Sequence, residues 1–283
     1  MADPDPYIAI AAHRPNEVRL GGSLITLVEP NPGFEREYNR WYEDDHFYAG
    51  VRVGPWVFAG RRWVATRDLR QLRYPADSPI AVPVDAGCYI SIYWFLAGHH
   101  DDVVRWAISA MSDNLNFQEG RTFAERKHVF TTFSTYELGV LRDPASPMRP
   151  EHALDHPFPG LVVEILDAGD AGDREGLLDW VREEFAPAEM VGGPLAMCIG
   201  FFPAPRPTPT RVAGVTEPPN LGRLLTLLWF LDVDPRQCWS HFMGHGATIA
   251  DGGKGKLLLA APFVPTIPGT DTYVDELGVG RGD

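Results

Sequence analysis

Cysteine is scarce in this chain. Its 283 residues hold three, Cys88, Cys198 and Cys238, far apart and without a C-x-x-C spacing. That pattern argues against a disulfide scaffold and against a thiolate zinc site, and it predicts free thiols in a reducing compartment. Positive charge is short as well: 25 Lys and Arg stand against 38 Asp and Glu, for a formal net charge of −13. With no long basic run to displace phosphate counterions, the sequence argues against a nucleic-acid partner. No apolar run approaches the ~20 residues a membrane helix needs. Met1 to Pro6 are acidic and proline-rich, with no basic-then-apolar leader. The expectation is a cytoplasmic protein with no membrane partner. G-x-G-x-x-G, P-loop and G-x-S-x-G patterns are missing too, which leaves nucleotide cofactors and serine-nucleophile chemistry without support.

What remains is ordinary globular composition, 45% hydrophobic and 22% charged, in a chain long enough to bury a large core. Hydrophobic periodicity gives its order. Segments 23–29, 56–66, 88–96 and 127–138 read as strands. Segment 34–47 reads as a helix with Phe34, Tyr38, Trp41 and Tyr42 on one face. Segment 101–118 reads as another, with Val104, Ile108, Met111 and Leu115 at helical spacing. The same β-α-β-β-α-β order follows again: strands 161–166, 195–203, 223–231 and 256–264, helices 174–186 and 235–248.

Detail supports an internal repeat. Trp94-Phe95-Leu96 and Trp229-Phe230-Leu231 each close a third strand, and Trp106 and Trp239 each follow near a helix start. Both halves carry a proline-bearing excursion between strands two and three, 67–87 and 204–222. The expected organisation is an N-terminal segment (1–22), a first repeat (23–141), a linker (142–160) with five prolines, a second repeat (161–265) and a C-terminal tail (266–283). A β-α-β-β-α-β unit puts both helices on one sheet face and leaves the other bare. The expected fold class is therefore α+β, two ferredoxin-like repeats pairing sheet to sheet into an α/β barrel. Helices lie outside it and a cavity lies between the sheets. The chain is then a monomer with an intrachain pseudo-dimer, or a homodimer.

The first helix reads Asn39-Arg40-Trp41-Tyr42-Glu43-Asp44-Asp45-His46. This segment resembles the N-x-W-Y-acid-acid-acid-His signature of EthD-like proteins in the dimeric α/β-barrel superfamily. A proline common two residues after the histidine is here Tyr48. In the second half Trp180 stands where Trp41 does and Glu184 where Asp45 does, but Val181 and Phe185 replace Tyr42 and His46. The second repeat thus reads as degenerate, keeping the fold marks without the polar chemistry. The resemblance implies a small apolar or aromatic substrate and chemistry such as cyclisation, isomerisation, dehydration, carbon–carbon lysis or cofactor-free oxygenation. It implies no required cofactor, although a haem-binding version of the superfamily exists.

His46 is the expected acid–base group, because imidazole titrates near neutrality. Tyr42, one turn earlier, is positioned to hydrogen-bond a substrate oxygen or orient the ring. Asp45 or Glu43 can fix the histidine tautomer; the bland reading is that both are simply solvated. Trp41 joins the substrate-binding set. Arg61 and Arg62 are adjacent in a strand, so one points inward, toward an anionic or enolate oxygen. Alternation assigns Tyr89, Ser91, Tyr93 and Phe95 to the cavity wall and Ile90, Ile92, Trp94 and Leu96 to the helix-covered face. It also groups His128 with Phe130, Thr132, Ser134 and Tyr136. No metal is expected. His99-His100-Asp101-Asp102 reads as a helix start with an Asp cap. His241 and His245 stand at i, i+4 with no evident third ligand and read as exposed. A non-catalytic carrier for an apolar molecule, and a structural or oligomerisation role with a filled cavity, are the competing functions.

Overall fold

The computed structural model describes residues 18–110, 121–169, 173–204 and 220–278. The N-terminal residues 1–17, the end of the expected 101–118 helix with Met111 and Leu115, and most of the 204–222 excursion lie outside them. Eight strands form one closed antiparallel barrel in the order β1-β3-β2-β8-β5-β7-β6-β4. They are β1 (Leu20–Pro30), β2 (Val57–Val64), β3 (Tyr89–Leu96), β4 (Arg126–Leu141), β5 (Gly160–Asp167), β6 (Leu195–Pro203), β7 (Leu224–Leu231) and β8 (Lys256–Pro265). The barrel closes where β4 pairs with β6 over Ser134–Leu141 and where β2 pairs with β8 at Trp63 and Val64.

The turn at 31–33, with Gly33 at φ +93°, releases β1 into α1 (Glu35–Trp41). That helix widens into a π-helical stretch, Tyr42–Arg52. Then come α2 (Arg67–Gln71), α3 (His100–Ser109), α4 (Arg174–Trp180), α5 (Ala186–Met190), α6 (Pro235–Phe242) and α7 (His245–Asp251). A second π turn, Val181–Phe185, joins α4 to α5, so in both halves the winding loosens directly after a tryptophan. Asp173 and Asp234 cap α4 and α6, each side chain accepting a backbone N–H. No Asp caps α3: His99 holds that position without a side-chain cap, and Asp102 pairs with His99 and Arg105 instead. Among the described residues, no helix is long and apolar enough to cross a membrane.

Cross-strand pairing decides which residues share a face. Tyr93 pairs with Leu24, which pairs with Phe133, and all three pack with Val103 and Val104 of α3. The Tyr89/Ser91/Tyr93/Phe95 set therefore lies under the helices. Ile90, Ile92 and Trp94 point into the barrel. This reverses the expected assignment, because alternation separates two faces without saying which is inside. Nor is the interior a roomy cavity. Trp94 of β3 meets Phe201 of β6 at 5.2 Å, and Trp63 of β2 meets Phe230 of β7 at 6.1 Å, contacts between strands that are not neighbours. Phe158, from the 142–159 connection, packs on Phe230 at 5.2 Å. β3 and β7 are buried at every residue, which explains their unbroken apolar runs.

Segment 67–87 is anchored to the barrel at several points. Leu69 and Ile80 are core residues, Arg70 donates to the Leu277 carbonyl, and Arg73 donates to the carbonyls of Ala86 and Gly87. Phe230→Ala is expected to open a void between Trp63 and Phe158 and to cost about 3–5 kcal/mol, read from the urea midpoint.

Candidate functional site

A pocket of about 310 Å³ opens beside the π-helical stretch. One helix face supplies Glu43, Phe47, Tyr48 and Arg52. β2 supplies Gly60, Arg61 and Arg62. The 142–159 connection adds Leu154, Asp155 and Pro157, and the tail adds Thr266 and Pro268. No residue of 67–87 lines it.

Arg62 is the buried hinge of this region, its side chain 3% exposed. Its Nη1 donates to Asn39 Oδ1 and Glu43 Oε1, both at 3.0 Å, while its guanidinium lies 4.4 Å from the Tyr42 ring and 4.7 Å from that of Tyr89. Nε and Nη2 have no hydrogen-bond partner. Glu43 is held on its other oxygen by the Gly269 N–H at 2.9 Å. Burial pushes the Glu43 carboxyl up from its ordinary value, against the pull of Gly269 and Arg62. Arg61 points the other way, over Trp63 at 4.7 Å, and donates to the carbonyls of Leu154 and His156. Among the described residues the Arg52 side chain makes no hydrogen bond or ion pair; its guanidinium lies 5.7 Å from the Phe47 ring. Arg61 and Arg62 thus leave opposite faces of β2, and both line this pocket.

The expected acid–base group sits apart from it. The His46 ring stacks on Trp41 at 4.5 Å and meets Tyr42 edge-on at 5.0 Å. A Cβ at position 50 would lie 2.5 Å from His46 Nδ1, so the ring occupies space that only Gly50 leaves. Burial, with the charges of Arg126, His128, Arg62 and Arg121, lowers the His46 pKa to about 3. At neutral pH the ring is a neutral imidazole, not a group poised to exchange protons. Asp45 does not orient it; it pairs with Arg121 at 2.9 Å. Tyr42 donates to or accepts from Tyr93 at 2.8 Å, a buried phenol pair. Trp41 donates to the Arg121 carbonyl and lies 4.8 Å from the Arg126 guanidinium.

His128 also departs from its expected set. A bulge opposite Leu27 and Val28 breaks the alternation, so Phe130, Thr132 and Ser134 face the barrel while His128 faces the helices. There it contacts Thr131 Oγ1 at 3.0 Å and Thr26 Oγ1 at 3.3 Å, and burial lowers its pKa to about 4. The structure thus brings Arg62, Tyr42, Tyr89 and Tyr93 together, and gathers His46, Trp41 and His128 beside Arg126. None of His46, Tyr42, Asp45, Tyr89, Tyr93, His128 or Trp41 lines the pocket.

The second half keeps the stack and changes its chemistry. Phe185 lies on Trp180 at 4.8 Å and 11°, the counterpart of His46 on Trp41. Against Phe185 sits His245, 1% exposed, so it is not the surface histidine expected. Its Nδ1 meets Glu164 Oε1 at 2.9 Å, and Trp229 Nε1 donates to Glu164 Oε2 at 2.7 Å. Glu189 Oε2 lies 3.3 Å from His245 Nε2 and 3.0 Å from His241 Nε2. Burial alone would lower the His245 pKa; the two carboxylates carry it up to about 9. The signal for this cluster was a single Glu inside the strand LVVEIL, a charge that a two-sided buried strand must pair.

No protein-family model matches the sequence, and no curated protein matches it. Among solved structures the chain is similar to an anthrone oxidase-like protein, at 8% identity and TM-score 0.50, over 88% of this chain and 92% of that one. It is also similar to a chlorite dismutase candidate, at 11% identity and TM-score 0.49, over 92% and 100%. A monooxygenase candidate from Fusobacterium nucleatum subsp. nucleatum follows at 9% identity and TM-score 0.46, over 88% and 94%. At such identities the likeness is one of fold.

His46→Phe would copy the Trp180–Phe185 stack into the first half. A depressed histidine pKa means that the unfolded chain binds the extra proton between about pH 6.5 and 3, so stability falls as pH falls through that window. His46→Phe is expected to remove about one proton from this slope, roughly 1.4 kcal/mol per pH unit, in denaturant melts between pH 7 and 4.

Proposed function

We propose that this chain is a cytoplasmic, small-molecule enzyme of EthD-like descent, its two ferredoxin-like repeats joined as an intrachain pseudo-dimer. We assign the reaction to the pocket beside Glu43, with a small aromatic carbonyl or phenolic compound as substrate. The EthD-like segment 39–46, the repeated element order and the matched Trp41 and Trp180 stacks support the descent.

One observation carries the functional reading. A carboxyl raised by burial converges with guanidiniums in a pocket walled by Phe47, Tyr48, Leu154 and Pro157. A raised carboxyl is the better matched base near neutral pH, whereas His46 at about 3 is a poor one. Glu43 is therefore assigned the proton removal, from a C–H activated by a carbonyl or from a phenol O–H. Arg52 holds the oxyanion that forms, and the buried charge of Arg62 behind Glu43 adds to the positive field there. The proton returns from Glu43 to another substrate atom, as isomerisation, cyclisation or dehydration requires. Tyr42 and Tyr89 contribute by keeping the Arg62 guanidinium between their rings. Arg61 braces the pocket wall through the Leu154 and His156 carbonyls. The reading draws on no haem, and visible absorption of the purified protein checks that: no Soret band is expected.

Deuterium exchange tests the chemistry without knowledge of the product. Anthrone and related hydroxylated aromatic ketones, a choice prompted by the anthrone oxidase-like neighbour, are incubated with protein in D₂O and followed by NMR at their acidic carbon. Catalysed exchange is expected with wild type. Glu43→Gln should slow it about 10²–10⁴-fold with little change in ligand affinity. Arg52→Ala should weaken binding. Tight binding with no exchange would instead favour a carrier, and unimpaired exchange by Glu43→Gln would overturn the base assignment.

A further inference from the structure

We infer that Glu189, His241 and His245 form a second site, in the other half of the barrel, for a divalent transition metal of the zinc class. The ligand atoms come from the end of α5, the end of α6 and the start of α7, and lie within 4.8 Å of one another. Their spacing fits a shared ion. Ligand atoms about 2.0–2.1 Å from a tetrahedral zinc stand roughly 3.3 Å apart. Glu189 Oε2 stands 3.0 Å from His241 Nε2 and 3.3 Å from His245 Nε2.

Enclosure is the second, independent observation. Each Nε2 is buried and makes no hydrogen bond of good geometry, although Glu189 Oε2 stands within ion-pair distance of both. His245 is 1% exposed, and an imidazole nitrogen so deeply enclosed needs a partner. The outer shell is of the kind that metal-binding histidines use. Glu164, 0% exposed, engages His245 Nδ1 at 2.9 Å, which fixes the tautomer and turns Nε2 toward the site. Trp229 Nε1 steadies the second oxygen of Glu164. Phe185, Trp229 and Phe242 enclose the His245 ring in apolar surface.

The donor set selects the ion. Two imidazoles and one carboxylate suit zinc, or iron(II) in oxygenase-type sites, and do not suit magnesium or calcium, which prefer all-oxygen shells. Three protein ligands, two of them on side chains 32% and 20% exposed, match the ligand count of catalytic zinc sites, where structural ones use four. The site shares no residue with the Glu43 pocket, so the two assignments stand or fall separately.

Full-length protein is stripped with a chelator and titrated with Zn²⁺, and in parallel with Co²⁺ as a spectroscopic probe. One equivalent of tightly bound zinc is expected, with visible Co²⁺ absorption of tetrahedral or five-coordinate type. His241→Ala and Glu189→Gln, both at the solvent side, should keep native circular dichroism. Each should weaken zinc by more than the about 10–100-fold that losing an outer partner such as Glu164 costs. Equal zinc affinity in wild type and both folded variants would overturn the site and leave a buried histidine–carboxylate pair only. No bound zinc in wild type would overturn it equally.

Discussion

Closure of the sheet is the constraint from which the rest follows. Because β4 finds β6 and β2 finds β8, no strand edge is left over and every strand has one face turned into the barrel. That inner face is taken by Trp63, Trp94, Phe201 and Phe230, side chains large enough to meet across the axis. Ionisable groups on the outer face then have one place to be, the layer between sheet and helices. Arg62, His128 and Glu164 are all there, and each has had to find partners within it.

The two halves meet that demand with opposite chemistry. Under α1 the buried groups are largely cationic or basic: Arg62, Arg126, His46 and His128, balanced by Glu43 and an aromatic cage. Under α6 and α7 they are carboxylates, Glu164 and Glu189, facing imidazoles. The stacked pair at the head of each π segment is the same device, but a histidine in one half and a phenylalanine in the other leave different neighbours to be satisfied. The half that the sequence presents as chemically blank therefore holds the more concentrated cluster of potential metal ligands.

How much of this was legible depends on the distance over which the signal acts. Strand and helix order rests on local periodicity, and LVVEIL, CYISIYWFL and RLLTLLWFL all lie on strands close to their expected limits. Which face of β3 looks inward is a tertiary fact that alternation does not contain, so Tyr89 and Tyr93 were assigned to the wrong side. The bulge that turns His128 over is set by its pairing with β1, a hundred residues away, and leaves no mark at 127–129. Glu43 was grouped with solvated acids because its burial comes from the tail. His241 lacked a visible third ligand because Glu189 comes from another helix.

The tail has a consequence for biosynthesis. Asp271 clasps Arg36 and Arg40, the Thr270 carbonyl accepts from Asn39, and the Gly269 N–H completes Glu43, across 226 residues of intervening sequence. A nascent chain that has finished its first half still has an incompletely anchored carboxylate at its own pocket. Only once the last strand and the stretch beyond it have been made does that carboxylate acquire its second anchor, so the pocket of the first half is finished after both halves have been synthesised.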